Sequence, residues 1–284
     1  MKRILILLAA AAALCACSQE KKVMARFVPE RSDDFVFENN LIAGRFYGKA
    51  LEVNPTSPGL DIWVKLPGKL VADEWYKGYE TQSDEYYHHD HGGKDCYKVA
   101  VSLGGGASSP LIDGKLCYPA TNYRSWEIVE ESPEKVVFTL HYPQWQTPDS
   151  VMVALDKTVT VVPDTYFCAV EDVYTFEGTD TLAIAAGMNI HAALETVEKQ
   201  LVQPGRVAIW EHASDQTVEP EDGMLGVAVV MPDADGTSLS EDGTHLLVWK
   251  YVTSGQPVRY SFGSCWSKGE IKTAQDWFEL VANR

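Results

Sequence analysis

The chain is poor in positive charge and lacks several familiar motifs. Lysine and arginine number 24 against 40 aspartates and glutamates, a formal charge of −16 at pH 7. Such a surface repels a phosphate backbone and argues against nucleic acid as a partner. There is no G-x-S-x-G elbow, no H-E-x-x-H and no P-loop, so the common serine hydrolase, zincin and nucleotide-binding readings lose their motifs. No Cys-x-x-Cys pair occurs, which argues against structural zinc. Asp233-Ala234-Asp235-Gly236 lacks the spacing of a calcium loop and reads as a solvated turn. No internal repeat is visible, and no Pro/Ser/Gly linker divides the region after the leader.

What is present is a globular composition, 45% hydrophobic and 11% aromatic over 284 residues, enough to bury a core. Residues 1–17 read as a secretory leader. Lys2 and Arg3 are its basic segment, and Ile4 to Leu14 is an apolar run too short to span a bilayer. Leu14-Cys15-Ala16-Cys17 resembles a bacterial lipobox, with Cys17 as the lipidated residue, so the expected location is the cell envelope, anchored to a membrane rather than spanning it. Residues 18–26 form a tether. Cys96, Cys117, Cys168 and Cys265 either pair as disulfides, in one of three ways, or sit as small buried apolar groups.

Apolar and polar residues alternate through Leu41 to Tyr47, Tyr123 to Val129, Lys135 to Tyr142, Val151 to Val162, Tyr166 to Phe176, Val207 to Glu211, Leu225 to Met231 and His245 to Val252. Period-two patterning rich in Val, Thr, Tyr and Phe predicts strands. One convincing helix follows, capped by Thr273-Ala274-Gln275-Asp276, with Trp277, Leu280 and Val281 on one face. The predicted fold is all-β, one large antiparallel β-sandwich over residues 27–284 with a C-terminal helix.

Candidate chemistry gathers in Tyr86-Tyr87-His88-His89-Asp90-His91-Gly92-Gly93-Lys94-Asp95. If that stretch is extended, His89 and His91 share one face while His88 and Asp90 point the other way. Two histidines so placed suit a general acid and base, or two metal ligands with a third from His141, His191, Glu211 or His212. No second ligand motif accompanies them, so no metal or other cofactor is assigned. Strand alternation puts Arg45 with Ala43 and Tyr47, and an arginine there suits a carboxylate unless it is an exposed strand cation. Asp61, Trp63 and Lys65 share another face. Trp75, Tyr76, Tyr79, Trp145, Trp210 and Trp266 lie near apparent loop edges, where aromatic rings serve sugars as stacking platforms. The run Gly104-Gly105-Gly106 reads as a flexible or closely approached loop, open to a ligand near the backbone.

Several blocks occur in order: Glu30-Arg31-Ser32-Asp33-Asp34-Phe35-Val36-Phe37-Glu38-Asn39, Arg45-Phe46-Tyr47-Gly48, Asp61-Ile62-Trp63-Val64-Lys65, Trp75-Tyr76, Asp90-His91-Gly92, Asp95-Cys96-Tyr97-Lys98-Val99, the glycine run, and Gly263 to Lys268. In this order the chain resembles lipoproteins of gut-type Bacteroidota whose single domain is a domain of unknown function. The resemblance implies a galactose-mutarotase-like supersandwich and association with polysaccharide-utilisation systems, often those for uronic-acid sugars such as pectins. Fold alone does not give reaction. The expected activity is proton transfer on a uronate-containing oligosaccharide, lyase-like or epimerase-like. His89 or His91 is the acid or base, Tyr87 or Tyr97 its partner, Arg45 or Lys98 the carboxylate neutraliser, and Trp63 or Trp266 the stacking platform. The alternative is a non-catalytic carbohydrate-binding lipoprotein. The expected partners are oligosaccharide or polysaccharide fragments, and the sequence sets no oligomeric state.

Overall fold

The computed structural model describes residues 21–53, 58–191, 199–212 and 220–284. The leader, Cys17 and the tether as far as residue 20 lie outside the described residues. In chain order the elements begin with strands β1 (Val23–Val28), β2 (Asp34–Asn39), β3 (Ala43–Phe46) and β4 (Leu60–Lys65), helix α1 (Ala72–Thr81), β5 (Gly93–Lys94), β6 (Ser108–Ile112) and β7 (Lys115–Leu116). They continue with β8 (Ser125–Ser132), β9 (Lys135–Gln146), β10 (Met152–Val161), β11 (Phe167–Glu177), β12 (Leu182–Asn189) and β13 (Lys199–Gln203). The chain ends with β14 (Arg206–His212), β15 (Met224–Val230), β16 (Gly236–Leu239), β17 (His245–Val252), β18 (Pro257–Trp266) and helix α2 (Ala274–Ala282).

The strand ladders are antiparallel and form three sheets, in the orders β1-β2-β3-β4-β5, β13-β14-β15-β18-β11-β10-β9-β8 and β16-β17-β12-β6-β7. Strands β1 and β4 touch β9 and β18, and β12 and β17 touch β14, β15 and β18, so both five-stranded sheets face the eight-stranded one. The shared core holds Phe35, Phe37, Phe46, Phe138, Leu155, Tyr174, Ile184, Val227 and Phe262. This is the large antiparallel sandwich that the alternation predicts. No helix among the described residues is long and apolar enough to cross a membrane.

The strands that alternate in sequence, such as β10, alternate in burial. Strands β2 and β4 are buried at every position because each has a second covering layer. For β2 and β4 that layer is α1, whose Ala72, Trp75 and Tyr76 pack with Val36, Ala43 and Trp63. Helix α1 was not expected, since its aromatics read as loop-edge residues; with Ala72, the spacing of Trp75, Tyr76 and Tyr79 is in fact helical. A buried carboxylate starts it. Glu38 accepts from the N–H groups of Val71 (2.6 Å) and Ala72 (2.9 Å) and pairs with Lys65, meeting the partial positive charge of the helix N-terminus.

Helix α2 is capped as expected, Thr273 Oγ1 accepting from Asp276 N at 3.2 Å. It lays Trp277 and Val281 on β11, β14 and β15, whereas Leu280 points outward and is 36% exposed. Cys96, Cys117, Cys168 and Cys265 are free and buried, so they pack as small apolar groups. The glycine run is approached by protein: a Cβ on Gly104, at φ +60°, would lie 2.0 Å from Leu60 O, and one on Gly106 2.3 Å from Phe262 Cβ.

His245 anchors this glycine loop. Its Nε2 accepts from Leu103 N (3.2 Å), and Thr244 Oγ1 lies 2.8 Å from its Nδ1. A proton on Nε2 would set one N–H against another, and burial, opposed by Asp242, lowers the imidazole pKa to about 4. The unfolded chain takes up this proton near pH 6.5 and the folded chain only near 4, so stability is lost as pH falls from 6.5 to 4, by about 3 kcal/mol once that window is crossed. Urea unfolding at pH 7 and pH 4.5 should show a smaller acid loss in His245→Gln than in the parent. Equal losses would remove His245 from the acid sensitivity.

Candidate functional site

The site begins with strand register. Arg45 on β3 lies opposite Asp61 on β4 and opposite Val36 on β2. Between β1 and β2 the chain turns through Ser32 and Asp33, both at positive φ (50° and 58°), and this brings Arg31 back over Asp34. Arg45 donates from Nε to Asp61 Oδ2 (2.8 Å) and from Nη2 to Asp95 Oδ2 (2.7 Å), with Asp34 Oδ2 3.5 Å from Nη1. Arg31 donates to both Asp34 oxygens (3.1 and 3.2 Å) and to Tyr87 Oη (3.3 Å). Tyr47 donates to Asp61 Oδ2 at 2.9 Å. The rings of Trp63, Tyr47 and Tyr87 surround the Arg45 guanidinium at 5.0 to 5.6 Å.

Above this floor is a cavity of about 260 Å³ walled by Arg31, Asp61, His88, Asp95, Tyr97 and Lys98. Two guanidiniums set against three carboxylates leave an excess of negative charge in a buried place. Burial first, then the Asp95 charge, raises the Asp61 carboxyl to about 7 against the pull of Arg45. Its Oδ1 is buried and makes no hydrogen bond. Asp34 is also raised, by burial opposed by both arginines.

His88 stands at the wall in a 3-10 turn, Tyr86–His88. Its Nδ1 lies 3.1 Å from the Asp95 carbonyl, so Nδ1 carries a proton and Nε2 an open lone pair. Among the described residues no hydrogen bond occupies Nε2. Burial lowers the His88 pKa below the usual histidine value, opposed by the Asp95 carbonyl and assisted by Arg45 and Arg31. The ring is therefore neutral near pH 7.

Of the residues singled out in the sequence, Arg45, Tyr97 and Lys98 come together here. Arg45 is neither an exposed cation nor a free carboxylate receptor, being 2% exposed and already paired. Lys98 is exposed at the rim. Tyr97 is 3% exposed, and its hydroxyl faces the carbonyls of Asn189 (3.0 Å) and Gly104 (3.3 Å), so it is committed to structure. Tyr87 is buried between Trp63 and Tyr79. His89 and His91 are exposed outside the cavity; the 3-10 turn ends at His88, which it sets at the cavity wall, and the two other histidines lie beyond it. The His91 ring stacks on Tyr86 at 3.9 Å, and Tyr86 in turn fills the space that a side chain at Gly78 would need.

Trp63 (1% exposed) and Trp266 (2%) present no open face to a sugar. Trp75, Tyr76, Trp145 and Trp210 are likewise buried rather than at loop edges. The sequence reading missed Arg31, His88 and Asp61 as site residues. The available signal was the pairing of Arg45 and Asp61 across consecutive strand-like segments.

One further polar cluster adjoins the rim. His191 Nδ1 lies 2.6 Å from Glu211 Oε1, and its Nε2 lies 2.8 Å from the Lys98 carbonyl, with Tyr97 edge-on at 4.5 Å. Both ring nitrogens face acceptors, and the pair ties β12 and β14 to the segment bearing Tyr97 and Lys98. No group of three or more histidine, cysteine or acidic side chains among the described residues is arranged to hold a metal ion.

Residues 11–284 match the family described as a domain of unknown function (DUF4861), and the chain belongs to that family. An uncharacterized protein, P7, of Formosa agariphila is 29% identical over 273 residues, 90% of this chain and 65% of the relative; the chain thus spans about two thirds of that protein. This agrees with the domain of unknown function, and with the Bacteroidota, to which the ordered blocks pointed. A 4-alpha-glucanotransferase from Thermococcus litoralis aligns structurally with 7% identity and a TM-score of 0.37 over 86% of this chain and 40% of that one. Nothing about this chain follows from an alignment so distant.

The raised carboxyl of Asp61 gives a sign that can be checked. Its folded pKa of about 7 exceeds the ordinary value of 3.8, so the folded state holds an extra proton between them. The contribution is present at low pH and is lost as pH rises through 7, on the order of a few kcal/mol. Asp61→Asn, which keeps the uncharged form, should flatten the fall in urea-unfolding stability between pH 5 and pH 8. An unchanged slope would mean that Asp61 titrates normally. Arg45→Ala should cost about 3–5 kcal/mol, because it leaves buried carboxylates unpaired.

Proposed function

We propose, for this member of the family, that the pocket binds the uronate of a short oligosaccharide and moves the proton beside its carboxylate, in a lyase-like or epimerase-like reaction. The observation that carries the reading is His88, a neutral imidazole held by one nitrogen and open at the other, on the wall of a cavity that also holds two guanidiniums. A proton next to a carboxylate leaves only when the developing negative charge is met by a cation. Arg31 and Lys98 are the cations at the cavity wall, and Arg45 fixes the acids of the floor. His88 Nε2 accepts the proton. In elimination the C–H pair becomes a double bond as the neighbouring C–O bond breaks, and in epimerisation the proton returns to the other face. Asp61, whose carboxyl titrates near neutrality, is the proton donor best placed to complete either course.

One observation favours the alternative, a binding module without turnover. Arg45 is held in place by ion pairs to Asp61 and Asp95, so the floor serves equally as a rigid receptor. In either case the proposal includes an envelope location, with lipid attached at Cys17.

Mass spectrometry of a uronate-oligosaccharide panel incubated with the protein, with an isomer-resolving step, separates the readings. The expected result is unsaturated or epimerised product, reduced 10²-fold or more in His88→Ala and retained in the His89→Ala, His91→Ala double variant. Activity should fall as pH drops below the ordinary histidine range, because His88 must be neutral to accept a proton. Undiminished turnover in His88→Ala would overturn the assignment, and binding without any product would favour the receptor.

A further inference from the structure

We propose a second binding site, for a neutral oligosaccharide, in the groove between the edge strands β1 and β8. β1 ends one five-stranded sheet and β8 ends the eight-stranded one, so the sandwich is open there. The opening is a groove of about 590 Å³, within the range of small-molecule sites, lined by Arg26, Phe27, Leu70, Asp73, Trp126 and Ile128. Trp126 is 40% exposed, unlike Trp63, Trp75 and Trp266, which are all buried. Its indole is held in place by Phe27, stacked at 5.7 Å and 23°, and by Phe35 at 5.5 Å. An exposed tryptophan fixed by two phenylalanines is a preorganised flat surface.

The charges of the groove select the ligand. Arg26 is shared between Asp73 (2.8 Å) and Glu30 (2.7 Å), and Lys21 pairs with Glu131 (2.7 Å); the charged groups that line the groove, Lys21, Arg26, Asp73 and Glu131, sum to zero in a chain of −16. A ligand here meets an apolar ring flanked by two cations and two carboxylates, which supply both hydrogen-bond donors and acceptors. Sugar rings, with apolar C–H faces and hydroxyls that both donate and accept, fit that arrangement. A strand from a second chain is opposed by Glu127, Glu130 and Glu131 on β8 and by the bulge between Ile128 and Glu130. The anionic unit belongs to the other pocket. Tyr76 stands between the two sites, its ring under the Arg26 guanidinium at 5.4 Å and its hydroxyl 3.3 Å from Asp34. The groove is a distinct site and does not depend on the chemistry assigned to His88.

The test uses the full chain labelled with 5-fluorotryptophan, the Trp126 fluorine resonance being identified by its loss in Trp126→Phe. The probes are neutral tetrasaccharides of glucose, xylose, mannose and galactose, with trigalacturonate as the anionic control. At least one neutral probe should shift the Trp126 resonance saturably, and saturating trigalacturonate should leave that shift in place. By calorimetry, Trp126→Ala should bind that probe about tenfold more weakly, while Trp126→Phe, which keeps a flat ring, stays within about threefold. Failure of every neutral probe to move Trp126, displacement by trigalacturonate, or equal affinity in Trp126→Ala would each overturn the site. None of these readouts registers turnover at His88, so the two proposals fail separately.

Discussion

The Arg45 guanidinium joins three separate stretches of chain, and the rest of the site depends on it. Through Asp34 it holds the β1–β2 turn, through Asp61 it holds β4, and through Asp95 it holds the segment after the histidine turn. Removing such an ion from water is expensive, and a single carboxylate rarely offsets the cost. Here three carboxylates and three aromatic rings share the task. Burial, and after it the excess of acid over base, raises the proton affinity of Asp61. A titrating carboxyl near neutrality thus follows from the way the fold is held together.

The His88 turn is fixed from several directions by contacts that have no catalytic part. Asp95 N donates to Tyr87 O at 2.7 Å, closing the loop on itself. Next to it, the buried Lys94 ammonium meets both oxygens of Asp222 at 2.8 Å, and Asp90 meets Lys268 at 2.9 Å. Underneath, Glu38 starts α1 and pairs with Lys65, so the helix that carries Trp75 and Tyr76 is tied to the same two strands as Arg45. Trp266 belongs to this framework, since its Nε1 donates to Asp222 O at 2.6 Å. Residues that looked like a binding surface in the sequence are buried parts of the framework.

The strands were legible because a sheet with one covered face writes its burial into the sequence at period two. β17 was expected at His245 to Val252 and is found there, and β9 and β10 differ from expectation only at their ends. Where a second layer covers the sheet the alternation disappears, as in β2 and β4, and α1 escaped notice because its tryptophan and tyrosines suggested exposed platforms. The site was less legible for a related reason. The stretch Tyr87 to His91 advertises chemistry by composition, but which histidine faces the cavity depends on a single 3-10 turn. Extended backbone selects His89 and His91; the turn selects His88. Arg31 was hidden because its placement depends on two positive φ angles in the turn that follows it, which Ser32 and Asp33 do not announce as glycine would.

The charge of −16 and the proposed pocket for an anion are compatible, because the two act over different distances. At physiological salt the field of exposed charges decays over about 8 Å. A carboxylate inside the cavity therefore interacts chiefly with Arg31, Lys98 and His88 at its wall, while the distant surface acids mainly oppose the approach of long polyanions. The buried aspartates are nearer, but their charge is opposed by Arg45 and reduced further while Asp61 holds a proton. The same two guanidiniums disfavour a positive charge on His88. The proposed attraction for an anion and the availability of a neutral imidazole are thus two effects of one arrangement, and a substitution that removes the charge of Arg31 or Arg45 also makes His88 easier to protonate.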